Sequence, residues 1–143
     1  MSYITKDDCL FCKIVAGEIP CHKVYEDDKT LAFADISPAT KGHTLVISKN
    51  HAENLLEIAS DDLAAVHMTS KKVARAAKDA LGCDGVSILQ LNGEASGQVV
   101  MHYHVHVIPR MNDDGLPLGH ASERKPQTEG LEETAKAISQ AIK

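Results

Sequence analysis

No apolar run in the 143 residues approaches the ~20 residues that a helix needs to cross a bilayer, which excludes a conventional membrane span. Basic residues are also short. Lys and Arg number 15 against 20 Asp and Glu, a formal net charge of −5, whereas a general nucleic-acid binder needs a basic footprint. One nucleotide is still allowed, because a phosphate can be held by a few backbone N–H groups and a cation or two. Residues 1–8 lack the basic and then apolar pattern of an export signal, so a cytoplasmic location is expected. Repeats, low-complexity blocks and linkers are missing too, and residues 1–143 read as one domain. Cysteine is sparse. In a reducing compartment four cysteines do not make a disulfide framework. Cys9-Leu10-Phe11-Cys12 points instead to metal or redox chemistry, while Cys21 and Cys83 read as plain small residues.

What is present is a globular composition, 43% hydrophobic and 24% charged. Residues 11–16 suit a short helix stopped by Gly17 and Pro20. Residues 23–26 and 31–34 read as strands joined at Asp27-Asp28, and 43–47 as a third strand after the break at Ser37-Pro38. Leu63, Val66, Ser70, Val73, Ala77 and Leu81 form one stripe of a long helix, with Ser60 as expected N-cap and Gly82 closing it. Strands are expected at 86–91 and at 99–108, the latter ended by Pro109, with a turn-rich loop at 92–97 between them. Leu131, Ala135, Ile138 and Ile142 suggest a C-terminal helix, whereas 111–127 is polar and carries no assignable pattern. Short connections between neighbouring strands favour antiparallel pairing. The expected class is α+β: an antiparallel sheet of about five strands, one long helix and short flanking helices.

A strand places residues i, i+2 and i+4 on one face, so His102, His104 and His106 should project together, with Tyr103, Val105 and Val107 on the apolar side. Burying three imidazoles is costly unless each finds a partner, which argues for function. One reading is a metal site, since His-x-His supplies two neutral ligands. The other is nucleophilic catalysis by an imidazole that is largely neutral near pH 7, aimed by a carbonyl that accepts from its second nitrogen. Asn92 and Gln98 in the preceding loop, with its flexible backbone N–H groups, suit phosphate oxygens better than zinc. Phosphate chemistry is therefore favoured.

The run Gly97-Gln98-Val99-Val100-Met101-His102-Tyr103-His104-Val105-His106-Val107-Ile108 resembles the motif of the histidine-triad family. Phe11-Cys12-Lys13-Ile14-Val15-Ala16-Gly17-Glu18-Ile19-Pro20, Ala34-Asp35-Ile36-Ser37-Pro38 and Gly42-His43-Thr44-Leu45-Val46-Ile47 are similar to other segments of it. The likeness is strongest to the nucleoside-phosphoramidate hydrolase branch. It implies a homodimeric α+β enzyme acting on the α-phosphate of a purine nucleotide through a nucleotidyl-histidine intermediate. By that resemblance His104 is the nucleophile and His106 holds a phosphate oxygen, Asp35 binds ribose, and Leu10, Phe11, Ile14, Phe33 and Ile36 form the purine pocket. Asn92, Gln98 and the backbone at Val99 take the phosphate side, and His43 matches a histidine near the site without an assigned role. Members with the cysteine pair resemble a zinc-binding group, which implies structural zinc on Cys9, Cys12, His51 and His102. Three alternatives stand beside this reading. Pro109-Arg110 is reminiscent of the branch that cleaves dinucleoside polyphosphates, a nucleotide-binding regulator would turn over only incidentally, and a thiol oxidoreductase would use Cys9.

Overall fold

The computed structural model describes residues 2–117 and 129–142; the remainder of the unassigned 111–127 segment lies outside the described residues. The order is α1 (Leu10–Val15), β1 (Lys23–Glu26), β2 (Thr30–Ala34), β3 (Thr44–Ser48), α2 (Ser60–Leu81), β4 (Gly85–Leu89), a 3-10 turn (Glu94–Ser96), β5 (His104–Arg110) and α3 (Leu131–Ala141). The five strands form one antiparallel sheet in the order β1-β2-β3-β5-β4. This is the expected α+β class.

Both faces of the sheet are covered, which is why β2 (TLAFA) and β3 (TLVIS) are almost continuously buried rather than alternating with water. Leu31, Phe33, Leu45 and Ile47 pack with Cys9, Phe11 and Cys12 of the α1 region. Ala32, Val46, Tyr103, Val105 and Val107 pack on the opposite face against Val66 and Val73 of α2. Each fully buried valine or leucine contributes roughly 1.5–3 kcal/mol by leaving water. The pairings Phe33↔Leu45↔His106 and Leu31↔Ile47↔His104 put the histidines of β5 in rows with apolar residues on the α1 face.

Several element boundaries differ from expectation. Helix α2 starts at Ser60 itself; the N-cap is Ala59, which has no side-chain cap, and Asp61 and Asp62 supply the favourable charge of the first turn. Gly82 closes the helix in the left-handed region, as its position suggests. Strand β5 begins at His104 rather than residue 99 and continues through Pro109 to Arg110. Proline is tolerated because β3 has stopped pairing at Val107↔Thr44, while the Pro109 carbonyl accepts from Thr40 Oγ1 at 2.7 Å. Helix α3 forms as expected, with its residues exposed.

Gly42, just before β3, has φ +90°. A Cβ there would collide with Leu81 Cδ1 and lie 3.2 Å from Pro109 Cγ. Gly42→Ala should cost about 1–2 kcal/mol from the left-handed conformation alone, read as a lower urea midpoint with an unchanged m-value.

Candidate functional site

A cavity of about 670 Å³ opens between α1, the segment after it, β2 and the loop leading to β5, a size suited to a small-molecule ligand. Its apolar walls come from Leu10, Phe11, Ile14, Phe33, Leu45 and Val99, and His104, His106 and Asp35 supply chemistry. Among the described residues neither Lys nor Arg lines it. Arg110, one strand end away, is engaged with both carboxylate oxygens of Asp114 at 2.7 and 2.9 Å.

The His104 ring is buried, with Phe11 edge-on at 5.2 Å between centroids. Its Nδ1–H donates to the carbonyl of His102 at 2.6 Å, since a carbonyl can only accept. The proton is thereby placed on Nδ1, and Nε2 keeps its lone pair. Burial holds this imidazole below its ordinary pKa, which preserves the neutral form.

His106 is organised differently. The backbone N–H of Ala39 donates to His43 Nδ1 at 3.0 Å, so the His43 proton sits on Nε2. That Nε2–H lies 2.9 Å from His106 Nδ1, with Asp35 Oδ2 at 3.5 Å. His106 Nδ1 must then accept, and its own proton is on Nε2. Adjacent rings of the two β5 histidines, 5.1 Å apart, thus offer one lone pair and one N–H. Asp35, His43 and His106 are close enough to hold a cation, but the Ala39 bond commits His43 Nε2 to a proton. Hydrogen bonding, not metal ligation, accounts for this cluster.

His102 lies before the strand and turns to a second cluster. Its Nε2–H donates to the Ser48 carbonyl at 2.7 Å, leaving the Nδ1 lone pair facing Cys9 Sγ at 3.3 Å, Cys12 Sγ at 3.6 Å and His51 Nδ1 at 3.2 Å. Cys12 Sγ is 3.3 Å from His51 Nδ1. Around tetrahedral zinc, with bonds of ~2.3 Å to sulfur and ~2.05 Å to nitrogen, the S···N and N···N edges would be about 3.5 and 3.3 Å. The observed spacings match those edges. Burial pushes the Cys12 thiol up to about 11 and His102 down to about 4, so the cluster resists charge until a cation balances the thiolates. Cys9 also caps α1, its sulfur accepting from Cys12 N–H at 3.3 Å.

Of the residues singled out by sequence, Leu10, Phe11, Ile14, Phe33, Asp35, Ile36, Val99, His104 and His106 all border the cavity. Asn92 and Gln98 do not. Asn92 exchanges two hydrogen bonds with Gln90 and accepts from Leu55 N–H. Gln98, 2% exposed, accepts from Gly93 N–H and donates to the Glu53 and Val100 carbonyls. Both side chains brace the loop. Among the described residues the backbone N–H groups of Val99 and Val100 have no acceptor in the chain, so that loop offers donors through its backbone. Sequence reasoning missed the link from His43 to His106, which no local pattern encodes. It also read Cys21 as a plain small residue, although Cys21 and its neighbour His22 line the cavity.

A family model described as the HIT domain matches residues 16–113. The chain is 49% identical over 126 residues to Protein hit of Bacillus subtilis (strain 168), covering 85% of this chain and 86% of that one. It is 44% identical over 112 residues to adenosine 5'-monophosphoramidase hnt1 of Schizosaccharomyces pombe, covering 78% and 81% respectively. Among solved structures it is similar to a Zn-bound histidine triad family protein from Mycobacterium smegmatis, with TM-score 0.75, 36% identity, and 94% and 98% of the two chains covered.

The histidine chain makes stability depend on pH. Burial, followed by the neighbouring His104 and His43, lowers His106 from 6.5 to about 4, and burial also lowers His43. The unfolded chain therefore binds more protons than the folded one between these values, and stability falls as pH drops from about 6.5 towards 4. Denaturation midpoints across that window should fall less steeply in His106→Gln than in the parent protein. Equal slopes would contradict the assignment.

Proposed function

Because this chain belongs to the HIT domain family, we propose that it hydrolyses the bond between the α-phosphorus of a purine nucleotide and an amine or phosphate-containing leaving group, adenosine 5'-phosphoramidate being the model substrate. The observation that carries this reading is the complementary protonation of the two β5 histidines beside the cavity. His104 Nε2 attacks phosphorus as the bond to the leaving group breaks. His106 Nε2–H would donate a hydrogen bond to a phosphoryl oxygen as charge develops there, and the departing amine would take its proton from a water molecule. Water then attacks phosphorus as the P–Nε2 bond breaks, the proton it loses returns to solvent in place of the one taken by the amine, and the nucleoside monophosphate is released. Charge on the phosphoryl oxygens would be met by the Val99 and Val100 N–H groups, aimed in advance of the reaction. Phe11, Phe33, Leu10, Ile14 and Ile36 would bracket the base, and Asp35 the ribose hydroxyls.

The absence of Lys and Arg from the cavity lining among the described residues favours substrates with one phosphoryl group over dinucleoside polyphosphates, whose additional anionic groups would lack partners there. Turnover of adenosine 5'-phosphoramidate should exceed that of diadenosine polyphosphate when the two are measured side by side. His104→Ala should abolish turnover while retaining AMP binding, and quenching the parent enzyme without acid should trap a nucleotidyl adduct on His104. Two in-line displacements predict retention at a chiral phosphorus. Inversion, with substantial activity left in His104→Ala, would end the covalent reading.

Cys9, Cys12, His51 and His102 would hold zinc as a closed, structural site. Bound there, the ion would tie the N-terminal segment to the residues before β5, and it takes no part in the chemical steps. Protein purified without added metal should contain close to one zinc per chain by elemental analysis, and chelation should lower the melting temperature. Freely titrating cysteines in zinc-free, folded protein would sink this assignment.

Assembly as a homodimer is part of the same reading. Supporting it are the unpaired outer edge of β4, with Ile88 48% exposed, and exposed Met68 on α2. Sedimentation at micromolar concentration should give twice the chain mass; a monomer would contradict it.

A further inference from the structure

The carbonyl that orients His104 belongs to a peptide with little regular support. β5 pairing starts at His104↔Ile47, and the stretch from Val99 to Tyr103 has no ladder partner. Yet the His102 C=O and the Tyr103 N–H share one peptide plane, and both ends of that plane are engaged. The N–H donates to the Ala52 carbonyl at 2.7 Å, and the C=O accepts from His104 Nδ1–H at 2.6 Å. Rotating this one peptide would misdirect the imidazole. The bonds also run head to tail, so each polarises the next and makes the His102 oxygen a better acceptor.

The Tyr103 side chain is what anchors the plane from the far face of the sheet. It is 1% exposed, packs in the cluster beneath α2, and its hydroxyl shares a 3.1 Å hydrogen bond with His67 Nε2 on that helix. We propose that Tyr103, held by His67, is a positioning residue for catalysis: it sets the peptide plane that aims His104 Nε2 at phosphorus. Neither residue lines the cavity described above. The inference rests on His104 acting as nucleophile, so its test includes a readout that does not depend on turnover.

The variants are Tyr103→Phe, which keeps the ring and loses the hydroxyl, His67→Leu, and His67→Gln, which can restore a hydrogen bond to the phenol. With adenosine 5'-phosphoramidate, Tyr103→Phe and His67→Leu should lower kcat by about 3–10-fold, the effect of one neutral hydrogen bond. KM and AMP affinity should stay unchanged, because base, ribose and phosphate contacts are untouched. His67→Gln should recover most of the loss. In proton NMR the downfield His104 Nδ1–H resonance, identified by its disappearance in His104→Asn, should move in the first two variants and return in His67→Gln. Unchanged kcat and an unmoved resonance would overturn the proposal, as would a KM rising in step with the fall in kcat. If the parent protein turns over no nucleotide, the functional reading fails while the resonance still decides whether Tyr103 sets the His104 hydrogen bond.

Discussion

A buried imidazole must find a partner for each nitrogen or lose the free energy of hydration, and that constraint organises this protein. His102 and His104 are buried and His106 partly so, on β5, which lies between β3 and β4 in the sheet, and on the approach to it. Among the described residues no buried side-chain nitrogen or oxygen lacks a hydrogen-bond partner. Each histidine meets the requirement by committing one nitrogen to a structural bond: His102 to the Ser48 carbonyl, His104 to the His102 carbonyl, His106 to His43. Satisfying the first nitrogen defines the second. Three chemically identical side chains thereby differ: His102 turns a free Nδ1 lone pair to the cysteines, His104 keeps a free Nε2 lone pair, and His106 carries its proton on Nε2.

Helix α1 couples two of these tasks. Six residues long, it carries Cys12 towards His51 and His102 while Leu10, Phe11 and Ile14 form a wall of the cavity. So short a helix has little stability of its own, since nucleation is costly and few bonds repay it. Its position derives from packing of Phe11 and Cys12 on β2 and β3, from the Cys9 cap and from the cysteine–histidine cluster. The cavity and the cluster are thus supported by the same turn of chain.

The electrostatic character of the cavity follows from what stays out of it. Among the described residues its titratable groups are one carboxylate, one thiol and three imidazoles, in a chain whose net charge is −5. A polyphosphate chain would meet a wall whose described residues carry no Lys or Arg, whereas a single phosphoryl group can be matched by two or three N–H donors. Arg110, which the sequence places suggestively after the triad, spends its guanidinium on Asp114, Ser87 and the Leu116 carbonyl.

Periodicity and punctuation in the sequence determined the elements, because they are local properties. The stripe from Leu63 to Leu81 with Gly82 after it makes α2, and the alternation from His102 to Val107 separates imidazoles from valines even though the ladder starts only at His104. The same local signals misjudged Ser60, Pro109 and the start of β5, where the outcome depends on which neighbouring strand is still present to pair. Tertiary structure alone decided the protonation of His106. The proton on His106 is set by His43, 63 residues away, which is set in turn by the Ala39 N–H, and the peptide that aims His104 is held by Ala52. A residue's identity says which atoms can donate or accept. Only the folded chain says which partner arrives, because that depends on contacts between segments far apart in sequence.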